Sequence, residues 1–373
     1  MSVKAIQAID VNKVELTRFP RPKVADDAIL LKNLYCGICG TDLHGIEGKR
    51  TIKFPIIPGH ELVSEVAEIG ARALETTKVF GGTDLKVGDK VTINPRIVCG
   101  KCYYCKNLPQ KPEMCAGART YNSSIRSNEA PHLFGGWSEY MYILPGSEIV
   151  KLPDGIDFEV ASLIEPLACS VGLMDRYLSS HDWITGDGFR VNSDVVVFGM
   201  GAIGLLAAMC FHLNGAHNII CIDAVEEKLE LSKNFGADIT INVLGTSAEE
   251  RIDIVKNACD GLGASVVVEA CGVSETIGEG VQMLRRGGIL FEVGHLLKST
   301  PALVDPNKIC RDEISIVGNY AYPSSNCLAY AAKILMEENL PFDDLIKIYP
   351  LDDYENALFG KNNNVTVKDV FKI

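Results

Sequence analysis

Apolar residues follow two different rhythms along this chain of 373 residues. Up to about residue 165 they come in short alternating or compact runs, "AILLKNLYC", "KVTINP" and "WSEYMYIL", separated by Gly, Pro and Asp. Such runs between turn residues predict β-strands. From about Ser193 the texture changes. "DVVVFG" precedes "AIGLLAAMCFHL", "NIICID" precedes "VEEKLELSKNFG", and "SVVVEACG" precedes a helical stretch through "TIGEGVQMLRRGG". "ILFEVG" and "ISIVGNY" close the series. Apolar strands alternating with amphipathic helices predict an α/β unit, a parallel sheet covered on both faces. After Tyr320 come one more helix, "NCLAYAAKILMEENL", and a strand-like tail, "VTVKDVFKI". The tail is too small to stand alone and is expected to return to the first domain. The predicted division is a β-rich domain over 1–168, completed by 322–373, and an α/β domain over 169–321. Three stretches, 71–85, 119–134 and 175–191, read as loops or excursions.

The run Val195–Phe211 carries no charge over seventeen residues, near the lower limit of a membrane span. Its glycines at 199, 201 and 204 would each cost about 1 kcal/mol inside a helix. A strand, a turn and a buried helix account for it better, so no membrane partner is expected. Composition narrows the partners further. With 36 basic and 48 acidic side chains the net charge is −12. That field repels nucleic-acid backbones and anionic lipid, and leaves small-molecule substrates. The N-terminal stretch "MSVKAIQAIDVNKVEL" has no apolar leader, so the thirteen cysteines are expected in a reducing, cytoplasmic setting. There, clustered thiols mean metal or catalysis rather than disulfides.

Gly199-Met200-Gly201-Ala202-Ile203-Gly204 is a G-x-G-x-x-G comb that follows the strand "DVVVF" and opens a helix. Asp223 lies nineteen residues beyond the last glycine, at the end of the next apolar strand. Strand, comb, helix and acid in this register predict a dinucleotide site, with the pyrophosphate on the helix N-terminus. Asp223 would accept hydrogen bonds from the adenosine ribose and would repel a 2′-phosphate, so NAD is expected rather than NADP.

Cys99, Cys102, Cys105 and Cys115 fall within seventeen residues, the first three at C-x2-C-x2-C spacing. Four thiolates around tetrahedral Zn²⁺ leave no open position, so this zinc is expected to hold a lobe in shape. A second constellation lies in "YCGICGTDLHGIEG" and "PIIPGHELVSEVAEIG", with "LIEPLACS" further on. Taken singly, Cys36, Cys39, His44, His60 and Glu61 could each be core or surface residues.

Together these blocks make the chain resemble the zinc-dependent medium-chain dehydrogenases, in the branch of sorbitol, butanediol and threonine dehydrogenases. The resemblance covers nearly the whole chain. It implies a Rossmann doubly wound parallel sheet plus a β-rich GroES-like catalytic domain with a structural zinc lobe, and two zinc ions per chain. It further implies that Cys39, His60 and Glu165 ligate a catalytic zinc, Glu165 standing where alcohol dehydrogenases proper carry cysteine. Glu61 would approach the metal during ligand exchange, Asp42 would fix the His60 tautomer, and Thr41 and His44 would relay the substrate proton. Gly272 and Val293 join the glycine comb in cofactor contact. Cys36 reads as buried filler and Cys169 as a rival ligand. One departure stands out: nine residues separate Cys105 from Cys115, where seven are usual.

The implied reaction is NAD-linked interconversion of a secondary alcohol, in a polyol, sugar alcohol or vicinal diol, with its ketone. An amino alcohol such as threonine, a simple alcohol or aldehyde, and a catalytically silent zinc- and NAD-binding protein are the alternatives. A homodimer or homotetramer is expected.

Overall fold

The computed structural model describes residues 2–179, 191–297, 300–322, 324–360 and 366–373. They divide into two compact units, Met1–Ala168 with Pro323–Ile373, and Cys169–Tyr322.

In the first unit the strands are β1 (Ser2–Asp10), β2 (Lys13–Pro20), β3 (Ile29–Gly37), β4 (Glu61–Ile69), β5 (Lys78–Phe80), β6 (Lys90–Ile93), β7 (Arg96–Ile97), β8 (Arg119–Thr120), β9 (Tyr140–Ile143) and β10 (Glu148–Lys151). β3 and β4 form a long antiparallel pair in which Gly37 faces Glu61. Ile29, Leu30, Leu31, Trp137 and Met141 are buried in its core. The end of the chain forms a strand of this sheet. Numbered after the six strands of the second unit, it is β18 (Lys368–Lys372), inserted between β17 (Ile346–Pro350) and β3, with Val370 opposite Gly37. Burial of Val370 and Phe371 holds it there.

The second unit is a six-stranded sheet of β11 (Val195–Phe198), β12 (Ile219–Asp223), β13 (Ile239–Asn242), β14 (Ala264–Glu269), β15 (Leu284–Glu292) and β16 (Ser315–Gly318). Its order is β13-β12-β11-β14-β15-β16 and every pairing is parallel. That is the doubly wound dinucleotide order, with the topological switch between β11 and β14. Helices cover the sheet, so β11 is buried at all four positions and contains no polar residue.

The loop reading of 71–85 needs correction. β5 lies there and pairs in parallel with β10, a three-residue edge strand too short to show a period. Within 119–134, β8 pairs with β7. Of 175–191, a helix over Ile164–Ser179 takes up the beginning, and 180–190 lies outside the described residues. The uncharged run Val195–Phe211 divides into β11 and a helix over Ala202–Leu213. No helix among the described residues is long and apolar enough to cross a membrane.

Candidate zinc and nucleotide sites

The β3–β4 register builds the first site. Cys39 lies two residues beyond the end of β3 and caps the N-terminus of α1 (Gly40–Ile46), while His60 lies one residue before β4. Antiparallel pairing of Gly37 with Glu61 therefore brings the two together. Gly59 makes the approach possible: its φ is +91°, and a Cβ there would collide with Trp137 and Cys36. Ligand atoms of Cys39, His60 and Glu61 all lie within 4.8 Å of one another. Asp42, in the first turn of α1, places Oδ2 at 3.2 Å from His60 Nδ1. That oxygen is buried with no hydrogen-bond partner, as suits an acceptor for the Nδ1 proton of a metal-bound imidazole. Thiol, imidazole and carboxylate are the donor types zinc takes in open sites.

The electrostatics are those of a buried, mutually dependent cluster. Burial alone would lower His60, but the Asp42 charge, with Asp42 and Cys39 as acceptors for the ring's protons, holds it well above its ordinary value. Burial raises Asp42, and the charge and hydrogen bond of His60 reverse this to a net lowering. Thr41 Oγ1 donates to Cys39 Sγ at 3.2 Å. His44 Nδ1 lies 3.4 Å from Glu47 Oε2, and its ring is exposed.

The four thiols also converge. Sγ separations are 3.5 Å for Cys102–Cys105, 4.0 Å for Cys99–Cys105 and 4.0 Å for Cys102–Cys115. A tetrahedron of sulfurs around zinc has edges of about 3.8 Å, so these residues fit a closed four-sulfur cage. Cys102 caps the five-residue α2 (Tyr103–Asn107). The backbone N–H of Cys105 holds the Cys102 thiol down to about 6, favouring the thiolate a metal requires.

In the second unit Gly199 sits at φ +90° just past β11, and a Cβ on Gly204 would strike the Gly199 carbonyl at 1.8 Å. The helix over Ala202–Leu213 has Gly201 as its N-cap and no side-chain cap, leaving its first N–H groups for an anion. Asp223, at the end of β12, accepts from Met200 N at 2.5 Å and Val225 N at 2.9 Å. Val293 N donates to the Glu269 carbonyl, and Glu269 Oε1 accepts from Gly272 N at 2.8 Å. Gly272 and Val293 thus stand together at the carboxyl edge of β14 and β15, where such sheets bind nucleotides.

The comparisons with known proteins agree with this layout. An alcohol dehydrogenase GroES-like domain matches residues 25–154 and a zinc-binding dehydrogenase domain matches residues 202–336. The chain belongs to the zinc-dependent medium-chain dehydrogenases. D-arabinitol dehydrogenase 1 of Uromyces fabae is 28% identical over 348 residues, covering 90% of this chain and 87% of that protein. Sorbitol dehydrogenase of Bacillus subtilis is 27% identical, covering 98% and 96%. An alcohol dehydrogenase structure from Thermotoga maritima superposes with TM-score 0.89 at 26% identity, covering 100% of this chain and 99% of that one.

Three features of the dehydrogenase escape sequence reading. Lys368, the first residue of β18, places Nζ at 2.7 and 2.8 Å from the two oxygens of Glu61. Both groups are buried. Burial alone would lower Lys368, and the charges of Glu61 and Cys39 raise it instead. No motif marks this lysine; only the β18–β3 register delivers it. Asn122 reaches Asp42 and His60 from the 119–134 stretch. At the ends of β14 and β15, His295 Nδ1 lies 2.9 Å from Glu292 Oε1 and 3.3 Å from Glu269 Oε2. Glu269 meanwhile holds the Cys271–Gly272 turn through its other oxygen.

Glu165 sits in the first turn of α3 (Ile164–Ser179). It is buried, and among the described residues it stands outside the 4.8 Å group, where Glu61 is the carboxylate beside Cys39 and His60. Cys169 is likewise not in that group. With no metal bound, burial first of all pushes Glu165 up to about 7. The sign of the consequence follows. An acid raised on folding binds more protons folded than unfolded, so stability falls as pH rises from its ordinary 4.5 to about 7. Glu165→Gln is therefore expected to raise the melting temperature of the zinc-free protein at pH 8 by several degrees while leaving it nearly unchanged at pH 5. Melts in chelator at the two pH values check this; equal shifts at both would contradict it.

Proposed function

We propose that this dehydrogenase interconverts a secondary alcohol of a polyol or vicinal diol with its ketone, using NAD. The observation that carries the reading is the mixed sulfur, nitrogen and oxygen donor set at Cys39, His60 and Glu61, separate from the closed sulfur cage. Glu165, which the resemblance implies as third ligand where alcohol dehydrogenases proper carry a thiol, also supports hydroxylated substrates. So do the relatives, which include a D-arabitol-phosphate dehydrogenase of Enterococcus avium at 29% identity.

A zinc ion held by Cys39, His60 and a carboxylate supplies Lewis-acid stabilisation of negative charge on the substrate oxygen. The chain does the rest. Asp42 holds the His60 ring by its Nδ1 side. The Thr41 hydroxyl takes the substrate hydroxyl proton, and the exposed His44 ring, paired with Glu47, passes it to solvent. Bound NAD, which the glycine comb and Asp223 would hold, would supply the hydride acceptor for the carbinol carbon, the overall products being ketone, NADH and one proton. Asp223 supports NAD over its 2′-phosphorylated form. We also infer a cytoplasmic homo-oligomer. None of the thirteen cysteines is in a disulfide, and β16 lies at the edge of its sheet with Ile316 and nearby Tyr320 exposed.

The test is cofactor reduction by zinc-loaded protein against a panel of pentitols, hexitols, their phosphates, vicinal diols, threonine and simple alcohols. Pentitols or hexitols are expected to give the highest kcat/KM, with NAD preferred to NADP at least about tenfold, one like-charge clash of about 1.4 kcal/mol. Turnover confined to threonine or to primary alcohols would overturn the substrate class, and preference for NADP the role of Asp223.

A further inference from the structure

We propose that Asn122 is a positioning residue for the catalytic zinc, turning the Asp42 carboxylate so that His60 can ligate the metal. The proposal rests on the reading of Cys39 and His60 as zinc ligands. Asn122 lies in the turn just after β8, and its side chain is 4% exposed. Its Nδ2 donates to Asp42 Oδ1 at 2.9 Å; the same nitrogen lies 2.9 Å from His60 Nδ1, a contact that is no hydrogen bond when the ring carries its proton there, so Asn122 acts on the ring through Asp42. The other donor to Asp42 Oδ1 is Gly59 N, at a long 3.4 Å. Asp42 Oδ2, buried and without a hydrogen bond, remains for the ring at 3.2 Å.

The physical argument runs through the torsion of the carboxylate. The terminal torsion of an aspartate is broad and two-fold, so packing alone does not fix which way its oxygens face. A ring that binds metal through Nε2 carries its proton on Nδ1 and needs a fixed acceptor there. Asn122 supplies the fixing contact, because its own turn is rigid. The neighbouring Tyr121 hydroxyl lies 2.6 Å from Ser147 Oγ and accepts from Leu144 N at 2.8 Å. Thr120 N donates to Ser124 Oγ at 2.6 Å. β7 and β8 tie the turn to the base of the four-cysteine lobe. In this way the lobe, through its root, reaches the site where chemistry is done.

The experiment counts zinc per chain while a competing chelator is titrated into wild type, Asn122→Ala, Asn122→Asp and Asn122→Ser. The four-sulfur zinc serves as the internal control. Wild type is expected to hold two zinc ions. Asn122→Ala should release one of them at about tenfold lower chelator, the low end for loss of a contact behind a metal ligand. Asn122→Asp, nearly the same shape but unable to donate and repelling Asp42, should be worse, and Asn122→Ser, which keeps a hydroxyl donor, should recover part of the loss. In cobalt-substituted protein the visible band of the catalytic ion should move in the Ala and Asp variants, while the four-sulfur band stays. A merely structural residue would lower the melting temperature without singling out one metal. Variants that keep both zinc ions as tightly as wild type would overturn the proposal. Wild type holding a single zinc would instead sink the zinc-ligand reading beneath it. Should Asn122→Ala not fold, the isosteric Asn122→Asp carries the same comparison.

Discussion

His60→Ala is expected to lower alcohol-dependent NAD reduction by at least about 10³-fold, the equivalent of about 4 kcal/mol of lost stabilisation at the substrate oxygen. One of two zinc ions should leave with it. NAD affinity should stay, because the comb, Asp223 and the β14–β15 edge all belong to the unit Cys169–Tyr322, whereas His60 belongs to the other. The two outcomes together are what distinguish a metal ligand from a core histidine. A core histidine of 8% exposure would give a destabilised protein with both zinc ions in place. Elemental analysis, NAD titration and steady-state rates on one preparation decide it, and turnover within tenfold of wild type would end the assignment.

The second large effect concerns stability. Lys368→Met should destabilise the protein by about 3–5 kcal/mol, because it leaves the Glu61 carboxylate buried without its partner. The pair itself contributes much less than that. Desolvating both ions consumes most of their attraction, so Glu61→Gln combined with Lys368→Met should recover most of the loss. Urea unfolding of the zinc-free single and double variants measures both numbers. A single variant within about 1 kcal/mol of the parent would mean that the lysine does not hold Glu61 in solution. Zinc content adds a second readout. With Lys368 gone, Glu61 is the free carboxylate beside Cys39 and His60, and metal should bind more tightly than in the parent.

The parts of this molecule legible in its sequence are those whose physics is local. The G-x-G-x-x-G comb shows itself because close backbone approach at Gly199 and Gly204 tolerates no side chain, and Asp223 follows at a distance set by one helix and one strand. The four cysteines show themselves because a sulfur cage closes over a short segment, and two extra residues between Cys105 and Cys115 did not prevent their convergence. The apolar runs of the doubly wound sheet were plain for a similar reason: strands covered on both faces are mostly apolar, and Asp223, Glu269 and Glu292 stand at their carboxyl ends. The edge strand over Lys78–Phe80 was missed because three residues are too few to display a period.

What the sequence by itself determined was the fold class, the cofactor class and the residues able to carry chemistry. What only the tertiary structure decided was their company. Lys368 meets Glu61 across 307 positions, and Asn122 meets Asp42 across 80. Both contacts depend on strand register and loop path, namely Val370 opposite Gly37 and β8 against β7. Register is a property of many weak pairings summed over a sheet, so no single residue announces it. A charge buried at the end of such a pairing can be recognised as partnered only after the sheet has formed.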